Sequence, residues 1–374
     1  MGIEIRELKG RKQLREFVRY PFDLYRGDPC WVPALVFDDL NTFDPDKNPA
    51  YEFCESKFMM AYRDGKPVGR VAAIMNKAYI EKWGKRYGRF GWFDVADDFE
   101  AAAALIGAVE AWARDRGLVA VHGPLGFTDL DREGLLVEGF DRMGTLATMY
   151  NRPYYGQFLE RLGYAKDVDW IEFLVKVPEG IPEKVLRVND LIGKRTGVRI
   201  YPWKNRKELV AKFGTQLFAL IDDAYADLYG TTPLNERQVR YYIDTYLGFV
   251  DPRFTLVMVD QEEKLVGFGI SMPNLSGALR KSRGRLFPFG WVYFLRALRN
   301  PTVIDMYLVA VKREYQSRGV IAILMTELNR NAIAAGIEYA ESNPELETNI
   351  MVQQLWKDYD KVQHKRRRVY LKNL

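Results

Sequence analysis

Two stretches of the chain place β-rich apolar runs on either side of a short polar turn. They are FMMAYRDGKPVGRVAAI at residues 58–74 and FTLVMVDQEEKLVGFGI at residues 254–270. Both predict strand, tight turn, strand. Each resumes with Val-Gly, and Val68-Gly69 and Val266-Gly267 lie 198 residues apart. Each half then has one long helical pattern that ends at glycine and gives way to a strand: FEAAAALIGAVEAWARDRG then LVAVHG, and GVIAILMTELNRNAIAAG then IEYAES. Gly117 and Gly336 are 219 apart, so the second copy carries an insertion ahead of its helix. The first copy regains those residues after its helix, in 122–150. Segments 150–177 and 348–372 each begin with Asn, run through a short amphipathic helix and predict a strand pair; Asn151 and Asn349 are again 198 apart.

The chain therefore reads as two copies of one α/β unit. Each unit is expected to run helix, strand, strand, strand, helix, strand, helix, strand. In the second copy the opening helices are predicted at 206–230 and 235–250, with Leu209, Phe213, Leu217, Leu220 and Ile221 at helical spacing. Residues 11–28 open the first copy similarly. Pro178, Gly180 and Pro182 mark the join, giving domains 1–180 and 190–374.

Composition narrows the chemistry. Of 374 residues, 48% are hydrophobic and 28% charged, enough for a full core. Two cysteines, Cys30 and Cys54, and two histidines, His122 and His364, leave no Cys/His zinc site and no disulfide framework. A cytoplasmic, reduced protein without a bound metal is expected. The net charge of +5 is concentrated: residues 361–374 and 278–299 each hold six Lys/Arg and no acid, and the rest of the chain is net acidic. That pattern argues against a broad nucleic-acid face and suits a local polyphosphate or anionic-surface site.

The strongest local motif is VIDMYLVAVKREYQSRGVIAILMTELNRNAI, residues 303–333. A β-rich run breaks into the loop Gln316-Ser317-Arg318-Gly319-Val320-Ile321 and then a long helix. Here the sequence resembles the GCN5-related N-acetyltransferase (GNAT) superfamily, whose acyl-CoA loop reads Gln/Arg-x-x-Gly-x-Gly/Ala. Ile321 departs from that pattern. Turn N–H groups and a helix N-terminus suit a diphosphate, Gly319 allows close approach, and Arg318 offers charge pairing. The resemblance implies an α/β (α+β) fold of tandem GNAT-like units, each a mixed, largely antiparallel twisted sheet flanked by helices. It implies acetyl-CoA or another acyl-CoA as co-substrate and N-acyl transfer to an amine on a small molecule or a protein.

Site residues follow from the same resemblance. The strand ending Val309-Ala310-Val311 would offer backbone groups to the pantetheine arm. Asn349 matches the family's Asn in Asn-x-x-Ala-x-x-Leu-Tyr. Trp356 stands at the thiolate-protonating Tyr, leaving Tyr359, one turn on, for that task. Asp305, eleven residues before Gln316, matches the strand position of a general base. Glu341 on the facing strand is the second candidate base.

The first copy lacks the loop: Asp97, Asp98 and Glu100 favour a helix cap and repel a diphosphate. It is expected to be a degenerate unit that binds no CoA. Its loop 123–150 is net acidic and suits a cationic amine. The insert LFPFGWVYFLRAL is apolar enough to cover an acyl chain, pack the units together, or touch a membrane surface. Two-copy arrangements also resemble N-myristoyltransferases and Fem-type transferases. A binding protein without chemistry, and a lipid- or tRNA-dependent transferase, are the alternatives.

Overall fold

The computed structural model describes residues 2–247 and 250–374; the helix predicted at 235–250 runs Glu236–Tyr246, and positions 248 and 249 lie outside the described residues. The first half contributes strands β1 (Ile3–Glu7), β2 (Cys54–Arg63), β3 (Lys66–Asn76), β4 (Tyr87–Val95), β5 (Ala120–Gly123), β6 (Leu135–Glu138) and β7 (Ala165–Lys176). The second contributes β8 (Arg199–Ile200), β9 (Thr255–Val259), β10 (Leu265–Pro273), β11 (Val303–Val311), β12 (Tyr339–Ser342), β13 (Glu345–Leu346) and β14 (Lys361–Asn373). All join one mixed, mostly antiparallel sheet ordered β1-β2-β3-β4-β5-β14-β7-β12-β11-β10-β9-β8, with β6 beside β14 and β13 beside β7.

The predicted strand–turn–strand units are β2–β3 and β9–β10, each antiparallel. The long helices are Phe99–Arg114 and Ile321–Ala334. Each covers one face of its half, and an opening helix, Gly10–Leu24 or Arg206–Ala224, covers the other. The predicted stripe on Arg206–Ala224 is the buried one: Leu209, Phe213, Leu217, Leu220 and Ile221 pack on β9 and β10. Asn205 caps that helix by accepting from Glu208 N at 3.1 Å.

Segments 150–177 and 348–372 depart from expectation. Each ends in one long strand, not a pair, and the two strands pair with each other. The halves also exchange these strands. β14 lies against β5 of the first half, and β7 lies against β12 of the second. Cuts at 180 and 190 thus divide the chain, while the sheet crosses between the halves.

The exchange explains the basic C-terminus. Lys365, Arg366, Arg367, Arg368 and Lys372 of β14 pair with Glu341, Glu172, Asp169, Glu138, Glu347 and Glu110. Lys361 donates to the Trp356 carbonyl at 2.8 Å. This segment is an internally neutralised strand and not the anionic-partner patch that its composition suggested.

Candidate active site

Strands β11 and β12 run parallel from the pair Val303–Tyr339 to Met306–Ser342. Beyond that point β12 stops and β11 continues to Val311, leaving a slot at the centre of the second half. A cavity of about 680 Å³ opens there, within the usual ~300–1,000 Å³ of ligand sites. Its walls are mainly apolar, with Ile270, Met272, Phe294, Leu324 and Leu328 from the second half and Leu35 and Leu146 from the first. Among the described residues, seven carboxylates line it, Asp38, Asp39, Asp129, Asp131, Glu133, Asp244 and Glu345, against one cation, Arg132. The acidic loop of the first half thus faces the second half's slot. Burial pushes Asp131 up to about 6 and raises Asp129 and Glu133.

At one end of the slot lies the predicted loop. Gly319 has φ +77, and a Cβ there would meet Ile192 Cδ1 at 3.4 Å. Among the described residues, the N–H groups of Gly319, Val320 and Ile321 have no acceptor. Free N–H groups before a helix are donors that an anion can take. Gln316 pins the loop by donating from Nε2 to the Val311 carbonyl at 2.9 Å. Val320 is buried and Ile321 packs onto the same core cluster, so neither side chain covers those N–H groups. Ser317 ends the short helix Arg313–Gln316, and the Arg318 guanidinium lies over the Tyr315 ring at 5.3 Å. The linker helix Glu183–Thr196 flanks the loop, with Arg195 Nη2 donating to the Arg318 carbonyl at 3.1 Å. Arg195 thereby adds a cation that the sequence pattern did not single out.

Asp305 is buried, its carboxylate accepting from Asn274 Nδ2 at 2.7 Å and from the Tyr307 hydroxyl at 3.3 Å. Burial, then repulsion from Glu341, pushes it up to about 7. It reaches the cavity through Tyr307, which lines the wall. Glu341 sits behind it, bonded to Lys365 and 3.5 Å from His364 Nε2. Burial raises its pKa against the opposing pull of Lys365. Glu172, Glu341 and His364 offer ligand atoms within 4.8 Å of one another, but the Lys365 ammonium supplies the cation at that spot.

Tyr359 accepts from Asn329 Nδ2 at 2.6 Å and is not among the cavity-lining residues. Asn349 and Trp356 are. Asn349 caps the helix Ile350–Gln353 through Val352 N. Trp356 donates from Nε1 to Glu345 Oε1 at 2.7 Å. The other Glu345 oxygen is buried without a partner, and burial pushes this carboxyl up to about 7. Glu345 is therefore a carboxyl on the cavity wall that burial raises against the pull of Trp356 and Ser342.

The first half closes its equivalent slot. Leu125 N donates to the Phe90 carbonyl at 2.8 Å, and the Tyr155 hydroxyl accepts from Val95 N at 2.8 Å. Asp98 caps the helix Phe99–Arg114 and is paired with Arg63. The positions that leave free N–H groups in the second half are here occupied by the chain and by carboxylates.

Comparisons with known proteins agree with this fold. No protein-family profile matches. The chain is 29% identical over 377 residues to protein YghO of Escherichia coli (strain K12), covering 99% of this chain and 95% of that protein. It is 28% identical over 378 residues to a bacterial ceramide synthase of Caulobacter vibrioides, covering 98% and 96%. A solved tandem GNAT protein from the clavulanic acid biosynthesis pathway aligns with TM-score 0.53 and 12% identity, over 99% of this chain and 98% of that one. A GCN5-related glucosamine N-acetyltransferase region of a fungal multi-domain β-N-acetylglucosaminidase aligns with TM-score 0.56 and 13% identity, over 99% of this chain and 38% of that one. The chain has the tandem GNAT fold.

Proposed function

We propose that this protein is an acyl-CoA-dependent N-acyltransferase whose acceptor is a long-chain primary amine. The observation that carries the reading is the cavity itself. It is large and mainly apolar, among the described residues it holds seven carboxylates against one guanidinium, and it is walled by Leu308 and Val309 of the strand that leads into the loop with free N–H groups. The free N–H groups suit the diphosphate of CoA, the carboxylates suit an ammonium, and the apolar walls suit a hydrocarbon chain. The relative named bacterial ceramide synthase is compatible with this acceptor class.

In the proposed step Glu345 takes a proton from the ammonium, directly or through one water. The freed amine attacks the thioester carbonyl and the C–N bond forms; the nitrogen's second proton passes through water to the sulfur as the C–S bond breaks, and the amide and the free thiol leave. Asp305 acts through Tyr307 on the same wall. A non-catalytic reading has one observation in its favour, the Tyr225 hydroxyl bonded to both backbone groups of Val309. An RNA-dependent reaction draws no support from the C-terminal strand, whose charges are spent inside the fold. Thiol release from acyl-CoA, measured across short and long amines, tests the proposal.

A further inference from the structure

The insert between β10 and β11 folds as two short helices, Ser276–Ser282 and Gly290–Arg299. Its inner face holds the halves together: Leu279 and Phe294 pack with Val32 and Leu35 of the first half. Phe294 also walls the cavity. The outer face is exposed, apolar and cationic. Phe287 is 79% and Phe289 73% exposed, and Trp291, Val292 and Leu295 are exposed beside them. Around them stand Arg280, Lys281, Arg283, Arg285, Arg296 and Arg299. Among the described residues, no acidic side chain lies within ion-pair distance of any of the six. That contrasts with β14, where the same number of cations is consumed internally.

We infer that this outer face docks the protein on an anionic bilayer surface. Exposed aromatic rings ringed by unpaired cations are the chemistry of an interfacial anchor: the rings enter the headgroup boundary and the cations meet anionic lipid. A second copy is the poorer occupant, because a two-fold contact through this face would oppose six cations to six. Docking rests on the surface alone; only its use, bringing a long-chain acceptor to the helix that walls the cavity, rests on the acyltransferase reading. No helix among the described residues is long and apolar enough to cross a membrane, so the anchor is peripheral.

The test uses the full chain without acyl-CoA or amine, so its outcome is independent of activity. The protein is sedimented with vesicles of phosphatidylcholine alone and with one-third phosphatidylglycerol, at low and high salt. The inference expects binding to the anionic vesicles only, weakened by salt. Phe287→Ser combined with Phe289→Ser and Trp291→Ser should weaken it at least ~10-fold, as should Arg283→Glu with Arg285→Glu, with thermal transitions unchanged because all five are exposed. Wild-type protein left in the supernatant with both vesicle types overturns the inference, as does undiminished binding by both variants. A dimer that the aromatic variant dissolves, without vesicle binding, assigns the face to a second copy and overturns it too.

Discussion

The Tyr225 hydroxyl closes on both backbone polar groups of Val309, accepting from its N–H at 3.2 Å and donating to its carbonyl at 3.0 Å. Those groups point into the slot beyond the strand splay, where the GNAT resemblance expects the pantetheine arm. Tyr225 is the C-cap of the helix Arg206–Ala224. Tyr225→Phe removes the competing hydroxyl. CoA affinity by calorimetry should rise by up to ~10-fold, the worth of about one hydrogen bond. A lower affinity would make Tyr225 a ligand of the arm instead.

Glu345 should set the pH dependence. With its carboxyl up at about 7, kcat/KM should climb as pH rises and level off above that value, because only the carboxylate accepts a proton. Glu345→Gln should lower the rate by ~10²–10⁴-fold and abolish that limb. If Asp305→Asn does this and Glu345→Gln does not, the base is Asp305 acting through Tyr307.

Asp305 should also cost stability. Its folded pKa of about 7 lies far above the roughly 3.9 of an unfolded aspartate. Between those values the folded state binds the extra proton, so stability is fullest below pH ~4 and falls as pH rises to about 7. At pH 8 Asp305→Asn should therefore stabilise the protein by on the order of 4 kcal/mol, with the gain vanishing near pH 4. Urea denaturation at both pH values measures this. An equal effect at both would mean that Asp305 is not held protonated by its surroundings.

The loop predicts a cofactor-specific defect. Saturating CoA should raise wild-type stability by about 2.7 kcal/mol at 100 times its Kd. Gly319→Asp adds a Cβ at φ +77 near Ile192 and a negative charge at the loop, and should abolish that shift. Arg195→Ala, on the flanking helix, removes a cation and its bond to the Arg318 carbonyl, and should reduce the shift. An unchanged shift in both variants would place the diphosphate elsewhere.

The repeat was legible because both copies keep the same local patterns: Val-Gly after a turn, and a helix ending at Gly117 or Gly336. The opening strands Ile3–Glu7 and Arg199–Ile200 were not, being too short for alternation to stand out. The strand exchange was hidden for another reason. Its register is held by non-local pairs such as Asp169 with Arg368 and Glu172 with Arg367, and in one dimension those arginines read as a basic tail. Asp305 and Glu341 were visible as carboxylates on β-rich runs. Glu345 was not, since it follows Pro344 in a two-residue strand and owes its character to burial against Trp356, eleven residues on.

The most direct measurement is product analysis. Purified protein is incubated with palmitoyl-CoA and a long-chain amino alcohol, and the fatty amide and free thiol are quantified by mass spectrometry. The account predicts amide and thiol in equal amounts, a preference for long over short acceptors, and loss of both products in Glu345→Gln. CoA binding with no amide formed from any amine would contradict it and leave a GNAT fold that binds without acylating.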